Sequence, residues 1–263
     1  MIDTHAHLDF EQFDLSREKV LKRFFRFYGD TVVNVGVDWE RNKKTLALAL
    51  EHQFVYASLG FHPHEAGESF DLVKAKEYLR RNIDMEKLKI VAIGETGLDY
   101  FRMSDTKEKK FQKKLFQMQL ELARDTHLPL IIHCRKAYED LLEIINDKKY
   151  RNMKMVVHCF SGNREQLHSF LELPNLMVSF TGNITFVKDS NELAKTVEKT
   201  PLDRMMAETD CPFLAPVPMR GKRNEPLFVR YVIKRIADIK KMPFKDIELQ
   251  TTKNAVNFFN LPL

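Results

Sequence analysis

Leu88-Lys89-Ile90-Val91-Ala92-Ile93-Gly94 is a short apolar run that ends at a glycine and is followed directly by the acidic residue Glu95. A longer stretch with helical periodicity comes next, in which Phe111, Leu115 and Met118 recur at steps of four and three residues. An apolar strand followed by an amphipathic helix is the pattern of one βα unit, and this unit decides the fold because the chain repeats it.

The same order of apolar run and helical stretch recurs along all 263 residues. The eight predicted strands are Met1–Thr4, Thr31–Val37, Phe54–Gly60, Leu88–Gly94, Leu128–Ile132, Met153–Val157, Leu176–Phe180 and Arg204–Ala207. Further helices are predicted at Arg17–Tyr28, Arg41–His52, Lys136–Asn146, Arg164–Leu173, Leu227–Ile239 and Thr251–Asn260. Alternating apolar strands and helices indicate a parallel sheet that is covered on both faces. Eight units in about 250 residues are typical of a (β/α)8 TIM barrel, so we expect one domain over residues 1–263.

A doubly wound α/β sheet is the alternative fold. It needs fewer strands, and no Gly-x-Gly-x-x-Gly pattern follows the first apolar run. The barrel therefore explains the repeated pattern better.

Composition and charge narrow the class of protein. Hydrophobic residues make up 44% and charged residues 30% of the chain, which excludes a disordered protein. No apolar run approaches the roughly 20 residues that span a bilayer, and the first residues lack the pattern of a signal peptide. Three scattered cysteines favour a reducing compartment. We expect a cytoplasmic protein with no membrane association and no obligate protein partner. The net charge of +5 permits a polyanionic partner without requiring one.

Ligand-type side chains follow the predicted strands. The strand-end residues are His5, His7, His62, His64, Glu95, His133, His158 and Asp210. The carboxyl ends of all strands meet at one face of a (β/α)8 barrel, where active sites lie. We therefore expect these side chains to share one mouth.

A metal centre is the chemistry that this set favours. His5 and His7 are two residues apart on a strand, so both imidazoles point to the same side. Adding Glu95, His133, His158 and Asp210 gives four nitrogen and two carboxylate ligands. This number is too large for one tetrahedral ion and suits two ions bridged by a carboxylate. Such pairs hydrolyse phosphate esters and related bonds.

The motifs in this order resemble the TatD family of metal-dependent deoxyribonucleases, within the amidohydrolase-like barrel superfamily. The resemblance covers essentially the whole chain. The motifs that carry it are Asp3-Thr4-His5-Ala6-His7-Leu8, Gly60-Phe61-His62-Pro63-His64, Gly94-Glu95-Thr96-Gly97-Leu98-Asp99-Tyr100, His158-Cys159-Phe160-Ser161-Gly162, Glu208-Thr209-Asp210-Cys211-Pro212 and Arg220-Gly221-Lys222-Arg223-Asn224-Glu225-Pro226.

The resemblance implies a role for each ligand-type residue. One divalent ion would be held by His5, His7, Glu95 and Asp210, and a second by Glu95, His133 and His158. Glu95 would bridge the two ions, and Asp210 would orient or deprotonate the attacking water. His62 would lie near the substrate phosphate, with His64 in the same turn. The ligand types admit zinc, manganese, nickel or magnesium.

Basic residues near the predicted mouth are candidates for phosphate binding. Arg220, Lys222 and Arg223 lie in a proline-flanked loop after the eighth strand, and Arg135 lies two residues beyond His133. Arginine suits bidentate recognition of phosphate. The alternative for the loop is an ion pair with Glu225, and for Arg135 an ion pair with Glu208 or Asp210.

Two enzymatic functions fit these residues. The first is a deoxyribonuclease that removes nucleotides from the 3′ end of single-stranded DNA, with RNA or tRNA open as further substrates. The second is a deacylase or amidohydrolase, acting on D-aminoacyl-tRNA or on a small ester or amide. A third function, nucleic-acid binding with a vestigial site, would predict eroded ligands, whereas all six are present.

Overall fold

Eight parallel strands form the centre of the structure, a computed structural model that describes residues 1–85, 89–101, 103 and 105–262. Each strand pairs in parallel with the next one along the chain. The strands are β1 (Ile2–Ala6), β2 (Thr31–Val35), β3 (Val55–Leu59), β4 (Ile90–Asp99), β5 (Leu130–Arg135), β6 (Met155–Val157), β7 (Leu176–Phe180) and β8 (Met205–Ala207). This architecture confirms the predicted (β/α)8 barrel.

The barrel closes where the end of β8 meets β1. Ala6 forms a parallel bridge with Cys211, and the backbone amide of Asp210 donates a hydrogen bond of 2.9 Å to the carbonyl of His5. These contacts fix the segment after β8 beside the histidines of β1. Closure of the barrel therefore also positions three of the predicted ligands, His5, His7 and Asp210.

Helices surround the barrel and alternate with its strands. They are α1 (Arg17–Arg26), α2 (Trp39–Glu51), α3 (Leu72–Ile83), α4 (Thr106–Thr126), α5 (Tyr138–Ile145), α6 (Arg164–Leu171), α7 (Glu192–Lys199), α8 (Val229–Lys240) and α9 (Phe244–Phe259). Asp38, Asp71 and Asn163 cap three of them by accepting hydrogen bonds from amides of the first turn. No described helix combines the length and the apolar character needed to cross a membrane.

The helix α9 covers the amino end of the barrel. Phe258 and Phe259 pack with Met206 and other apolar side chains of the strands. The side-chain amide of Asn254 donates a hydrogen bond of 2.7 Å to the carbonyl of Met205, at the start of β8. Apolar side chains therefore fill this end of the barrel, opposite the carboxyl end at which the polar strand ends lie.

The strand β4 continues well past the apolar run that predicted it. It extends to Asp99 rather than ending at Gly94, and Leu88, at the start of the predicted run, lies outside the described residues. Gly94 and Gly97 have φ angles of +132° and +140°, which residues with a side chain rarely adopt. A Cβ on Gly97 would lie 2.0 Å from the carbonyl oxygen of His133. The glycines therefore let β4 pass close to β5, and this approach brings Glu95 to His133.

Candidate metal centre

The two histidines of the β1 end point into the barrel mouth, as their spacing predicts. The Nε2 atoms of His5 and His7 lie 3.2 Å apart, and both side chains are buried. The Nδ1 atom of His7 lies 2.8 Å from the carbonyl of Val35. Since that carbonyl can only accept, Nδ1 is protonated, and Nε2 is the nitrogen that faces the mouth and can bind a metal ion once it is deprotonated.

The carboxylate of Glu95 divides its two oxygens between two pairs of imidazoles. Oε2 lies 3.3 Å from Nε2 of His5 and 3.6 Å from Nε2 of His7. Oε1 lies 2.8 Å from Nδ1 of His133 and 2.8 Å from Nε2 of His158. The inward nitrogens of His133 and His158 are themselves 3.2 Å apart. Glu95 is therefore a carboxylate that lies against both histidine pairs, one oxygen to each.

The carboxylate of Asp210 belongs to the first pair. Its Oδ1 atom lies 3.4 Å from Nε2 of His7 and 3.9 Å from Nε2 of His5. Asp210 has a φ angle of +55°, in the left-handed region that non-glycine residues seldom occupy. The hydrogen bond from its backbone amide to the carbonyl of His5 holds this conformation. Strained backbone of this kind concentrates at functional sites.

The geometry and chemistry of these donors fit divalent metal ions. Three groups have donor atoms that all lie within 4.8 Å of one another: His5 with His7 and Asp210, His5 with Glu95 and His158, and His62 with Glu95 and His133. Imidazole nitrogen with carboxylate oxygen suits zinc, manganese and nickel. His62 was not among the six predicted metal ligands, but it joins the candidates because its Nε2 atom lies 3.6 Å from Oε1 of Glu95.

The ionisation of the centre couples metal binding to the release of protons, because metal ligands must be deprotonated. Burial acts to raise the pKa of the Glu95 carboxyl, but the charge of His158 and the hydrogen bonds from His133 and His158 outweigh it and hold that pKa well below its usual range. Burial likewise acts to raise the pKa of Asp210, yet His7 holds it below the ordinary value. Burial lowers the pKa of His62 well below its usual value. Burial also acts to lower the pKa values of His7, His133 and His158, yet the neighbouring carboxylates raise them, that of His7 to about 9. A metal ion that binds these three imidazoles therefore displaces protons from them.

Sequence reasoning missed the carboxylates that orient the outer histidines. Oδ2 of the buried Asp99 lies 3.2 Å from Nε2 of His133, on the far side of the ring from Glu95. Oε1 of Glu208 lies 3.3 Å from Nδ1 of His158. A carboxylate behind a ligating histidine fixes its ring orientation and raises its basicity. The period of two along β4 places Asp99 on the face of Glu95, and this was the available signal.

Replacing Asp99 with asparagine should weaken metal binding without unfolding the protein. The amide keeps the volume of the carboxylate but loses the charge that orients His133, and such changes cost about 10–100-fold in metal affinity. Metal titration followed by calorimetry measures this loss. Asp238→Asn, an exposed carboxylate that pairs with Lys234 on α8, is the matched control. Unchanged affinity in Asp99→Asn would contradict the orienting role.

The residues predicted to contact the substrate lie at different distances from the centre. His62 lies at the centre, whereas His64 is exposed, with Nε2 3.1 Å from Oδ2 of Asp99. Arg135 lines a cavity of about 530 Å³ together with His133, His158 and Asp210. Its guanidinium lies 3.6 Å from the ring centroid of Phe101.

The two arginines of the loop after β8 have protein partners. Arg220 lies over the ring of Phe186, at 4.0 Å from its centroid. Arg223 donates hydrogen bonds to the carbonyl of Gln12 and, at 2.9 Å, to Oγ of Ser16. Glu225, the alternative partner considered for this loop, instead pairs with Arg23 on α1. Arg223 thus ties the loop to the segment between β1 and α1.

Trp39 has a packing role. Its ring lies 4.6 Å from that of Phe61 and 5.4 Å from that of Tyr78, centroid to centroid. These contacts join the start of α2 to the turn after β3. The side chain therefore anchors the elements that carry His62.

Comparison with known proteins agrees with this geometry. The sequence pattern of the family described as TatD related DNase matches residues 2–260. An uncharacterized metal-dependent hydrolase of Bacillus subtilis, YabD, is 39% identical over 99% of this chain and 99% of its own. A 3′-5′ ssDNA/RNA exonuclease TatD of Erwinia tasmaniensis is 33% identical over 99% of this chain and 100% of its own. The crystal structure of YJJV, a TatD homologue from Escherichia coli, superposes with a TM-score of 0.90 at 30% identity, covering 100% of this chain and 98% of that one. The chain therefore belongs to the TatD related DNase family and is a metal-dependent hydrolase.

Proposed function

We propose that the protein hydrolyses phosphodiester bonds at the 3′ end of single-stranded DNA with two divalent ions. The observation that carries this proposal is the divided carboxylate of Glu95, whose two oxygens face separate histidine pairs. A carboxylate placed in this way would let the two histidine pairs share an anionic ligand and hold two divalent ions, which would stabilise both the attacking and the leaving oxygen of a phosphoryl displacement. The name of the Erwinia relative supports a nucleic-acid substrate.

Each ion has its own proposed set of ligands. His5, His7, Glu95 and Asp210 hold the first ion. Glu95 with His133 and His158 holds the second, and the donors admit zinc, manganese, nickel or magnesium. When bound, such ions polarise the scissile phosphate and bring the pKa of water toward neutrality.

The side chains around the ions carry out the remaining steps. The anionic Asp210 accepts the proton of the attacking water, because its carboxylate faces the mouth beside His7. The neutral His62 binds a phosphate oxygen through its imidazole. His64 and Arg135 contact the phosphate from the rim. That Arg220 and Arg223 contact the phosphates of the DNA backbone stays a prediction. The cytoplasmic location also stays a prediction.

Hydrolysis of a 5′-labelled single-stranded DNA oligomer tests this function. We expect a ladder that shortens from the 3′ end in the presence of manganese, zinc, nickel or magnesium and disappears in EDTA. Asp238→Asn should give the same ladder as the wild-type protein. An intact oligomer with a metal-loaded protein would reject the nuclease, and turnover of a D-aminoacyl-tRNA or a small ester by that same protein would identify a deacylase instead.

A further inference from the structure

A second cavity adjoins the one at the metal centre. Its volume is about 550 Å³, and its lining includes Tyr100 and Lys109. Lys136, Tyr138 and Ser161 border both cavities. Each volume lies within the range of about 300–1,000 Å³ that is usual for ligand sites. None of the six proposed metal ligands is among the described lining residues of the second cavity, so hydrolysis itself does not explain it.

Cations outweigh anions along the path between the two cavities. Arg135, Lys136 and Lys109 follow one another from the metal centre outward. The acidic residues on this path are Glu139 and Asp140 in the second cavity and, at the metal centre, Asp210, whose charge a bound ion would neutralise. Asp140 is already partnered, because Lys113 lies 2.8 Å from its Oδ2 atom and the Tyr100 hydroxyl donates to the same oxygen at 2.7 Å. The remaining charge is positive and suits a chain of phosphates.

The backbone of Lys136 has an unusual conformation. Its φ angle of +57° lies in the left-handed region, which glycine adopts more readily than lysine. The side chain is exposed at the junction of the two cavities. Non-glycine residues with such backbone angles are concentrated at binding and catalytic sites. The same angle makes Lys136→Gly a variant that removes the cation without straining the backbone.

We infer that the second cavity holds the part of a single strand that lies on the 5′ side of the scissile phosphate. Lys136 and Lys109 bind successive phosphates of that segment, so the enzyme prefers an oligonucleotide to a dinucleotide or a small ester. This inference rests on the proposed function and adds a phosphate-binding subsite to it, which a strand of at least four nucleotides, with three internucleotide phosphates, would fill.

The test compares a thymidine decamer with a thymidine dinucleotide as substrates for the metal-loaded enzyme. In the double variant Lys109→Gln/Lys136→Gly we expect kcat/KM for the decamer to fall about tenfold or more, since two phosphate contacts are lost. The slope of log(kcat/KM) against log salt should become shallower by about 1.4, at roughly 0.7 per single-strand contact. In the same double variant kcat/KM for the dinucleotide should change less than about twofold, because its one phosphate lies at the metal centre.

Controls separate this inference from the proposed function. Lys199→Gln, an exposed lysine at the end of α7, should leave both substrates and the salt slope unchanged. Equal loss on both substrates, or an unchanged salt slope in the double variant, would overturn the second-cavity site while leaving the nuclease intact. Failure of the wild-type enzyme to cleave either substrate would instead reject the nuclease, and the inference with it.

Discussion

Glu95→Gln should abolish hydrolysis and lower the metal content of the protein. Glutamine keeps the volume of glutamate, but its side-chain NH₂ group replaces one of the two oxygens that face the histidine pairs. A neutral amide also removes the negative charge that the surrounding imidazoles stabilise. We expect kcat to fall by about 10⁴-fold, the size of the loss when one member of a catalytic unit is removed.

The number of metal ions bound per chain shows whether the loss of activity follows from a loss of metal. Two ions per chain in the wild-type protein and one or none in Glu95→Gln would support the bridging role. Glu192→Gln, an exposed glutamate that pairs with Arg164, is the matched control and should retain both metal and activity. A Glu95→Gln protein with two ions and the wild-type rate would contradict the bridge, and thermal unfolding of each variant shows whether the fold is kept.

The sequence was sufficient to predict the barrel and the gathering of the candidate ligands at its mouth. The period of two places His5 and His7 on one side of β1, and this holds in any parallel barrel. His133, His158 and Asp210 follow strands whose apolar runs are clear. Parallel strands bring all such ends to one face, so their proximity needed no knowledge of individual contacts.

The outer contacts could not be predicted in the same way. Asp99 reaches His133 only because β4 continues for five residues beyond the apolar run, through two glycines with positive φ angles. Hydrophobic periodicity carries no information about a strand that continues through glycine and polar residues. The approach of His62 to Glu95 depends on the turn after β3, whose position is set by packing with Trp39.

Long side chains were the least predictable part of the site. Arg223 is placed by hydrogen bonds to Gln12 and Ser16, more than 200 residues away in the sequence. A lysine or arginine has several rotatable bonds, so its position in the chain limits its head group only to a broad region. Charge counts therefore indicated a phosphate-binding mouth but could not distinguish Arg135 at the rim from Arg223 in the loop.

Asp210→Asn should stop the chemical step while leaving at least one ion in place. Asp210 approaches only the first histidine pair, and Glu95 still faces His133 and His158 in the variant. Asparagine has no basic oxygen of comparable strength, so it cannot accept the proton of the attacking water. Loss of a general base costs about 10²–10⁴-fold, and we expect kcat to fall within that range.

The kinetic pattern distinguishes proton transfer from metal binding at this position. If Asp210 acts as the base, kcat and kcat/KM for the oligomer fall by equal factors, since the lost interaction is made only in the transition state. Excess metal should not restore the rate. Full rescue by millimolar metal would show that Asp210 serves as a ligand alone. His62, which lies beside Glu95 and whose pKa burial holds well below its usual value, would then be the next residue to test as the proton acceptor.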